Sequence, residues 1–392
     1  MLPGWSPTGD EDIIRRTVRE FMEKTVSPIA ARIDRENVVP EQILREAAEM
    51  GLFSLRVPER YGGPGLSMRE TVVAVEEVSR VSSALGVMSA VSGSIAVFPL
   101  LAYASEDLGR RYLERLASGE IAAFALTEPC CGTDAAAIST RAERDGDEYV
   151  VSGEKVFITN AWYADFYIVA VRTGTPESRH RGVSLLVVDR SPCVEVEKLE
   201  MLGFRGSGTG IVRFNNCRVP AGNLIGEENT GFKKIMMTLN EGRVATAATG
   251  LGVMQAAFEE AVSYAKTRTS MGQPLIRHQM VQYLISEVAR LVESTRTLIY
   301  TAAGLIDARS PMVPYYSSLA KLHAAESGVQ AVRLAMQVLG GLGYSRESVL
   351  ERLYRDIKMI EIGDGTNEAQ RMVIARYLDR GIRPEWGRLE ES

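Results

Sequence analysis

Histidine is scarce in this chain: three in 392 residues, at His180, His278 and His323, none paired at helical spacing. That argues against a histidine-built metal site. Cysteine is nearly as rare. Cys130, Cys131, Cys193 and Cys217 show neither the density of a disulfide-stapled scaffold nor a C-x-x-C clamp. They read as reduced thiols in a reducing, cytoplasmic setting. Excess positive charge is also missing: the net charge is −5, which gives no electrostatic case for nucleic acid. The opening "MLPGWSPTGDEDIIRR" lacks a basic stretch leading into an apolar core, so no export signal is expected. No internal repeat or low-complexity tract is present. One uncharged run, Val81 to Ser105, is long enough to cross a bilayer. It carries Ser82, Ser83, Ser89, Ser92, Ser94, two glycines and Pro99, which suits a buried helix of a helical domain rather than a membrane span.

What remains is ordinary for a soluble globular protein of two or three domains: 45% hydrophobic and 24% charged residues. The first third has helical periodicity. "DIIRRTVREFMEKTVSPIAARI" puts Ile13, Ile14, Val18, Phe21 and Met22 on one face, Pro40 suits a first helical turn, and Ser67 with Glu70 forms a capping box. From about Phe124 the pattern shifts to short runs rich in Val, Ile, Phe and Tyr: "EYVVSGEKVFITN", "DFYIVAVRT", "GVSLLVVDR" and "GIVRFNNCRV". Turn clusters separate these runs, which predicts an antiparallel β domain, a small barrel or sandwich. From about Gly231 long amphipathic segments return, as in an antiparallel bundle. The expected fold is α+β and mainly α: an N-terminal helical domain (1–123), a middle β domain (124–230) and a C-terminal four-helix bundle (231–392).

Several segments carry candidate chemistry, each with a plain structural alternative. In "ALTEPCCGTDAAA" the amides of Gly132 and Thr133 and the hydroxyls of Thr127 and Thr133 suit a phosphate or a ring carbonyl, or the segment is only a loop. "VFITN" offers Phe157 as an aromatic plate, or as core. "GFRGSGTG" is glycine-rich but opens no helix after a parallel strand, so it is not a dinucleotide fingerprint. "RTSMGQPLIRHQ" links two bundle helices, where Arg268 alone reads as a helix C-terminal charge. "QVLGGLGYSRES" needs its glycines for close approach to a helix or a ligand. "EIGDGTNEAQR" sets Asp364 between Gly363 and Gly365, either as an inert Asp-Gly turn or as a presented base.

These segments, in this order and at these separations over an α–β–α chain, closely resemble the acyl-CoA dehydrogenase family of flavoenzymes. The resemblance runs from the first helices to "ARYLDR". It implies a homotetramer, a dimer of dimers, with FAD between the β domain and the bundle. It implies flavin ring and pyrophosphate contacts from Phe124 to Thr133, notably Leu126, Thr127, Gly132 and Thr133. Phe157, Ile158 and Thr159 would cover one flavin face; the family often has Trp at the place of Phe157. Arg268, Thr269 and Ser270, with Met271, His278 and Gln279 beside them, would serve the FAD of a neighbouring subunit. Gln337 to Gly341, including Gly340, would meet its adenosine part. Thr366 and Glu368 would return to the first FAD, where free helix amides suit phosphate. Asn240 and Arg243 in "LNEGR" match positions that hold the CoA part of the thioester, with Thr133, Gly363 and Gly365 also lining the substrate side. Electron-transfer flavoprotein would be the electron acceptor.

The resemblance also bears on Asp364. The family removes an α-proton from an acyl thioester while the β-hydrogen leaves as hydride to flavin N5, so a well-placed base is needed. Most members use Glu in "Tyr-Glu-Gly-Thr"; here Gly363-Asp364-Gly365-Thr366 stand there. A subset carries the base directly before the Arg matched by Arg243, but this chain has Gly242 there. Glu241 lies about 100° round the helix. Asp364 is therefore the expected base. Asp for Glu and Gly363 for Tyr both make room beside the α and β carbons, which favours a branched or cyclic acyl group, as in dehydrogenases of alicyclic acyl-CoAs. A flavin oxidase on the same fold, similar to nitroalkane oxidase, and a non-catalytic CoA-binding relative stand as alternatives.

Overall fold

The computed structural model describes residues 9–380; the first eight residues, part of the stretch read for an export signal, lie outside the described residues. Seven helices open the chain: α1 Gly9–Phe21, α2 Ala30–Glu36, α3 Glu41–Glu49, α4 Met68–Val81, α5 Ser83–Ala90, α6 Val97–Tyr103 and α7 Glu106–Ala117. The capping box is present: Glu70 N donates to Ser67 Oγ (3.2 Å) and Ser67 N to Glu70 Oε2 (2.7 Å). Pro40 caps α3 from outside its first turn. Of the expected α1 face, Ile13 is the exception, at 61% exposed. The uncharged run forms α5, a π-helical turn (Val91–Ile95) and α6. It is apolar enough to cross a membrane, yet its most apolar window is 83% buried inside the fold.

The middle region has seven strands: β1 Ala122–Ala125, β2 Arg141–Asp145, β3 Glu148–Ile158, β4 Phe166–Arg172, β5 Val183–Asp189, β6 Val194–Lys198 and β7 Gly210–Pro220. Pairing is antiparallel for β2–β3, β3–β7, β4–β5 and β6–β7. The expectation of a purely antiparallel sheet is adjusted at β4, which lies parallel to β1, with Ala122 opposite Phe166, and to β2 at Arg141 opposite Arg172. Every residue of β4 is buried because it separates two cores. Phe166, Ile168 and Ala170 pack on α6 and α7, while Tyr167, Val169 and Val171 face the interior of the β region. The cysteine expectation is corrected: the structure pairs Cys130 with Cys131 and Cys193 with Cys217 as disulfides. Cys193 enters β6 beside the part of β7 that holds Cys217, and strand pairing brings their Cα atoms to 5.4 Å.

The last third contains α8 Gly231–Thr267, a short hairpin (β8 Thr269–Ser270, β9 Gln273–Pro274), α9 Gln279–Asp307, α10 Val313–Leu339, α11 Val349–Ile360 and α12 Asn367–Asp379. α8 is 37 residues long and every residue from Asn240 to Met254 is buried. A helix without a polar stripe is a central one, and α8 packs against α4, α9, α10 and α11 at once. Its small residues allow this: a Cβ on Gly252 would strike the Glu76 carbonyl oxygen of α4 at 2.4 Å. The N-terminal helices and the bundle share one core, with Val72 and Val75 of α4 packed among Val244, Leu251, Ile299 and Val332.

Candidate active site

Two short segments of the β region come together. β3 is irregular between Lys155 and Ile158, and there Phe157 takes a left-handed backbone conformation (φ 60°) with 60% of its surface exposed. A bulky non-glycine residue at positive φ is uncommon and carries strain. Here the kink turns an aromatic ring out of the strand that should bury it, while Ile158 stays buried and Thr159 is half-buried. The Val156 amide donates to the Thr127 carbonyl (2.9 Å), joining this strand to the 126–133 segment. Phe124 and Thr127 are half-buried and Leu126 buried; Gly132 and Thr133 are exposed, and nothing lies within 4 Å of a Cβ built on Gly132.

A buried ion pair holds the foot of this loop. Lys155, fully buried, donates to the Leu126 carbonyl (3.0 Å) and to Glu128 Oε1 (2.8 Å). Glu128 also accepts from Ser139 N (2.7 Å), Ser139 Oγ (2.7 Å) and Thr140 N (3.0 Å). Desolvation pushes its carboxyl up, but the Lys155 charge and these donors outweigh that and hold it at about 2. Glu128, Cys130 and Cys131 lie close enough together to suggest a metal site. Their donors are already committed, to Lys155 and the loop amides in one case and to a disulfide in the other.

The second cluster forms where the turn after α11 meets α8. Gly363 N bonds back to the Met359 carbonyl (2.9 Å), Thr366 caps α12 by accepting from Ala369 N (3.3 Å), and between them Asp364 sits half-buried at φ 51°. Lys321 of α10 donates to the Gly365 carbonyl (2.6 Å), and Gln370 Nε2 to the carbonyls of Asp364 (3.0 Å) and Gly365 (2.9 Å). Burial pulls the Lys321 ammonium down to about 8, although Asp364 opposes the shift. Among the described residues the Asp364 amide has no hydrogen-bond acceptor. A Cβ built on Gly242 would lie 3.6 Å from the Asp364 carboxyl carbon and 3.2 Å from Ile95 Cδ1. The two positions weighed for the base, Asp364 and Gly242, thus lie in contact. Glu241 points elsewhere, to a buried ion pair with Arg56. Desolvation dominates there and raises the Glu241 carboxyl to about 7 against the pull of Arg56.

Asn240 and Arg243 are buried and bonded to each other (Nη1 to Oδ1, 2.7 Å). Burial lowers the Arg243 affinity for its proton, Asp364 opposes this, and its Nε is buried without a partner. The room expected at Gly363 is not a void, because a Cβ there would lie 2.7 Å from Met359 Sδ. The flexible thioether of Met359 fills the space beside Gly363. The remaining candidates form no hydrogen bonds to either cluster among the described residues. Arg268, Thr269, Ser270 and Met271 are exposed around the β8–β9 hairpin, Met271 at 93%. His278 bonds back to the Ser270 carbonyl (3.0 Å). Gln279, Gln337, Gly340, Gly341 and Glu368 are exposed. Sequence reasoning missed Thr246, whose hydroxyl donates to Asp364 Oδ2. Its signal was position: one helical turn beyond Gly242.

The first cluster has an outward aromatic beside an open glycine loop, and the second a glycine-flanked carboxylate seated on a buried helix. An exposed ring on a strained strand and a loop with unobstructed amides suit a flat ring system with phosphates. Family models for the acyl-CoA dehydrogenase N-terminal, middle and C-terminal domains match residues 8–120, 123–217 and 229–378. The chain belongs to the acyl-CoA dehydrogenase family and is an FAD-dependent oxidoreductase. It is 39% identical over 374 residues to the mitochondrial short-chain specific acyl-CoA dehydrogenase of Mus musculus, covering 95% of this chain and 90% of that one. The butyryl-CoA dehydrogenase of Megasphaera elsdenii superposes with a TM-score of 0.93 at 31% identity, covering 96% of this chain and all (100%) of the other. A chain from structural work on the electron transferring flavoprotein of Acidaminococcus fermentans and flavin-based electron bifurcation also superposes at 0.93, with 33% identity, covering 96% and 99%.

Proposed function

We propose that this enzyme desaturates a short branched or cyclic acyl-CoA between the α and β carbons, with Asp364 as the general base. The observation that carries the reading is the meeting of the Asp364 carboxylate with α8 at Gly242, where the two positions weighed for the base lie in contact. FAD, which the 126–133 loop and Phe157–Thr159 would hold, would supply the acceptor for the β-hydrogen. Asp364 takes the α-proton. Its own amide, without an acceptor among the described residues, donates to the thioester oxygen as negative charge develops there. Lys321 and Gln370 hold the turn's carbonyls, so the amide and the carboxylate keep their aim. The room for a branched or cyclic acyl group rests on the shorter Asp364 side chain, since Met359 and Gln370 already fill the space beside Gly363 and Gly365. Asn240 and Arg243 bind the CoA portion.

The exposed 268–279 hairpin and the end of α10 serve a neighbour's FAD in a homotetramer, and electron-transfer flavoprotein takes the electrons. The similarity to a chain from an electron-transferring flavoprotein system supports that acceptor. Anaerobic bleaching of the flavin by a panel of acyl-CoAs tests the reading. Branched and cyclic thioesters of four to seven carbons should bleach fastest. Bleaching by none would point to a non-catalytic relative, and hydrogen peroxide release under air to an oxidase.

A further inference from the structure

Threonines on α8 spend their hydroxyls locally. Thr238 donates to the Lys234 carbonyl (2.9 Å) and Thr249 to the Ala245 carbonyl (3.2 Å), the usual habit of a threonine inside a helix. Thr246 departs from it. Its hydroxyl leaves the helix and donates to Asp364 Oδ2, although it is only 1% exposed. It stands one turn from Gly242, where a Cβ would lie in ordinary contact with the Asp364 carboxyl carbon at 3.6 Å. Glycine and threonine at i and i+4 thus form a seat: the carboxylate rests against one and takes a donor from the other. No other described side chain bonds to either oxygen of this carboxylate, so Oδ1 stays open. An aspartate reaches about one methylene less than a glutamate, and a misplacement near 1 Å costs about a hundredfold. A fixed edge is what the shorter acid requires.

We infer that Thr246 is a positioning residue for this reaction, holding Oδ2 and leaving Oδ1 as the proton acceptor. This rests on Asp364 being the base. In the step, the α-carbon–hydrogen bond breaks, its proton forms a bond to Oδ1, and the electron pair stays with the acyl thioester. Proton removal can be read without flavin reduction. An acyl-CoA with sulfur at the β position keeps its α-hydrogens but has no β-hydrogen to give up, and loss of those α-hydrogens to heavy water is followed by NMR. Thr246→Val, close in shape but without the donor, should slow exchange roughly ten- to hundredfold, and Thr246→Ser should restore it to within about threefold. FAD content and affinity for the thioester should be unchanged in both. Should Asp364→Asn abolish exchange while Thr246→Val exchanges at the wild-type rate, the positioning role is overturned and the base survives. Should Asp364→Asn itself exchange like wild type, the base assignment fails and this inference fails with it. Equal slowing in Thr246→Val and Thr246→Ser would also overturn it, because the hydroxyl would not be what matters.

Discussion

Two buried glutamates, one under the β-region loop and one on α8, each face a single cation and end with opposite chemistry. Glu128 meets Lys155 and three further donors from Ser139 and Thr140, and its carboxyl is held at about 2. Glu241 meets Arg56 alone, and desolvation wins, raising it to about 7. Both are nearly closed to solvent, 3% and 5% exposed, but Glu241 lies deeper in the protein and carries the larger desolvation. Depth of burial and donor number together decide which way desolvation is answered. The difference separates the halves of the site by task. The loop half is saturated and rigid, a platform. The helical half leaves carboxylates short of partners, and Asp364 belongs to that half: one donor on one oxygen, the other open. A carboxylate fully occupied by donors would have no lone pair in place for a proton.

The largest effect that can break this contrast is at Asp364. Asp364→Asn keeps the shape and the Thr246 contact but cannot take a proton, so flavin reduction by a good acyl-CoA should fall by about 10²–10⁴-fold. FAD binding should persist, because the platform lies elsewhere. Stopped-flow absorbance of the flavin band measures this. Near-normal reduction in Asp364→Asn together with loss in Glu241→Gln would reverse the roles of the two carboxylates.

Removing the platform's cation comes next. Lys155→Ala leaves Glu128 buried with loop donors but no counter-charge, and breaking a buried pair this way costs about 3–5 kcal/mol. The denaturation midpoint should fall accordingly, and FAD should dissociate before the helices unfold, since Lys155 also ties down the Leu126 carbonyl. A loss under about 1 kcal/mol, the range of an exposed pair, would show that the loop does not depend on this pair.

How much of this contrast could be read in the sequence follows from distance along the chain. The switch from period 3.6 to period 2 near Phe124 and back near Gly231 is local, so the α–β–α order was legible. So were the Ser67–Glu70 box and the Asp364 turn, each set by residues within a few positions. Glu128 and Lys155 are 27 residues apart, and Arg56 and Glu241 are 185 apart; neither pairing leaves a local trace. Thr246 was hidden for another reason. α8 is buried on all sides here, so no polar stripe tells which face a threonine presents. Phe157 read more readily as core than as display until the kink in β3 turned it outward. The Cys193–Cys217 pair depended on the β6–β7 register, and the parallel β1–β4 pairing on a chain crossing, neither of which short runs specify.

The smallest effect is a pH dependence that sharpens the comparison at Glu241. Its folded carboxyl is raised, by desolvation first and with Arg56 opposing, from an ordinary 4.5 to about 7. The folded state therefore binds this proton more tightly than the unfolded chain. The associated stability is fully present below the unfolded value and is lost as pH rises through the folded one. Between about pH 4.5 and 7 the wild type should lose stability that Glu241→Gln, which cannot ionise, does not lose. At pH 5 the two proteins should melt close together, because the amide resembles the protonated acid. At pH 8 Glu241→Gln should gain on the wild type, on the order of 1–2 °C for a chain of this size. Thermal melts of both proteins at matched ionic strength across this range give the difference directly. A difference that shrinks or reverses toward pH 8 would mean that Arg56 alone does for Glu241 what four donors do for Glu128, and that donor number is not what divides the two halves of the site.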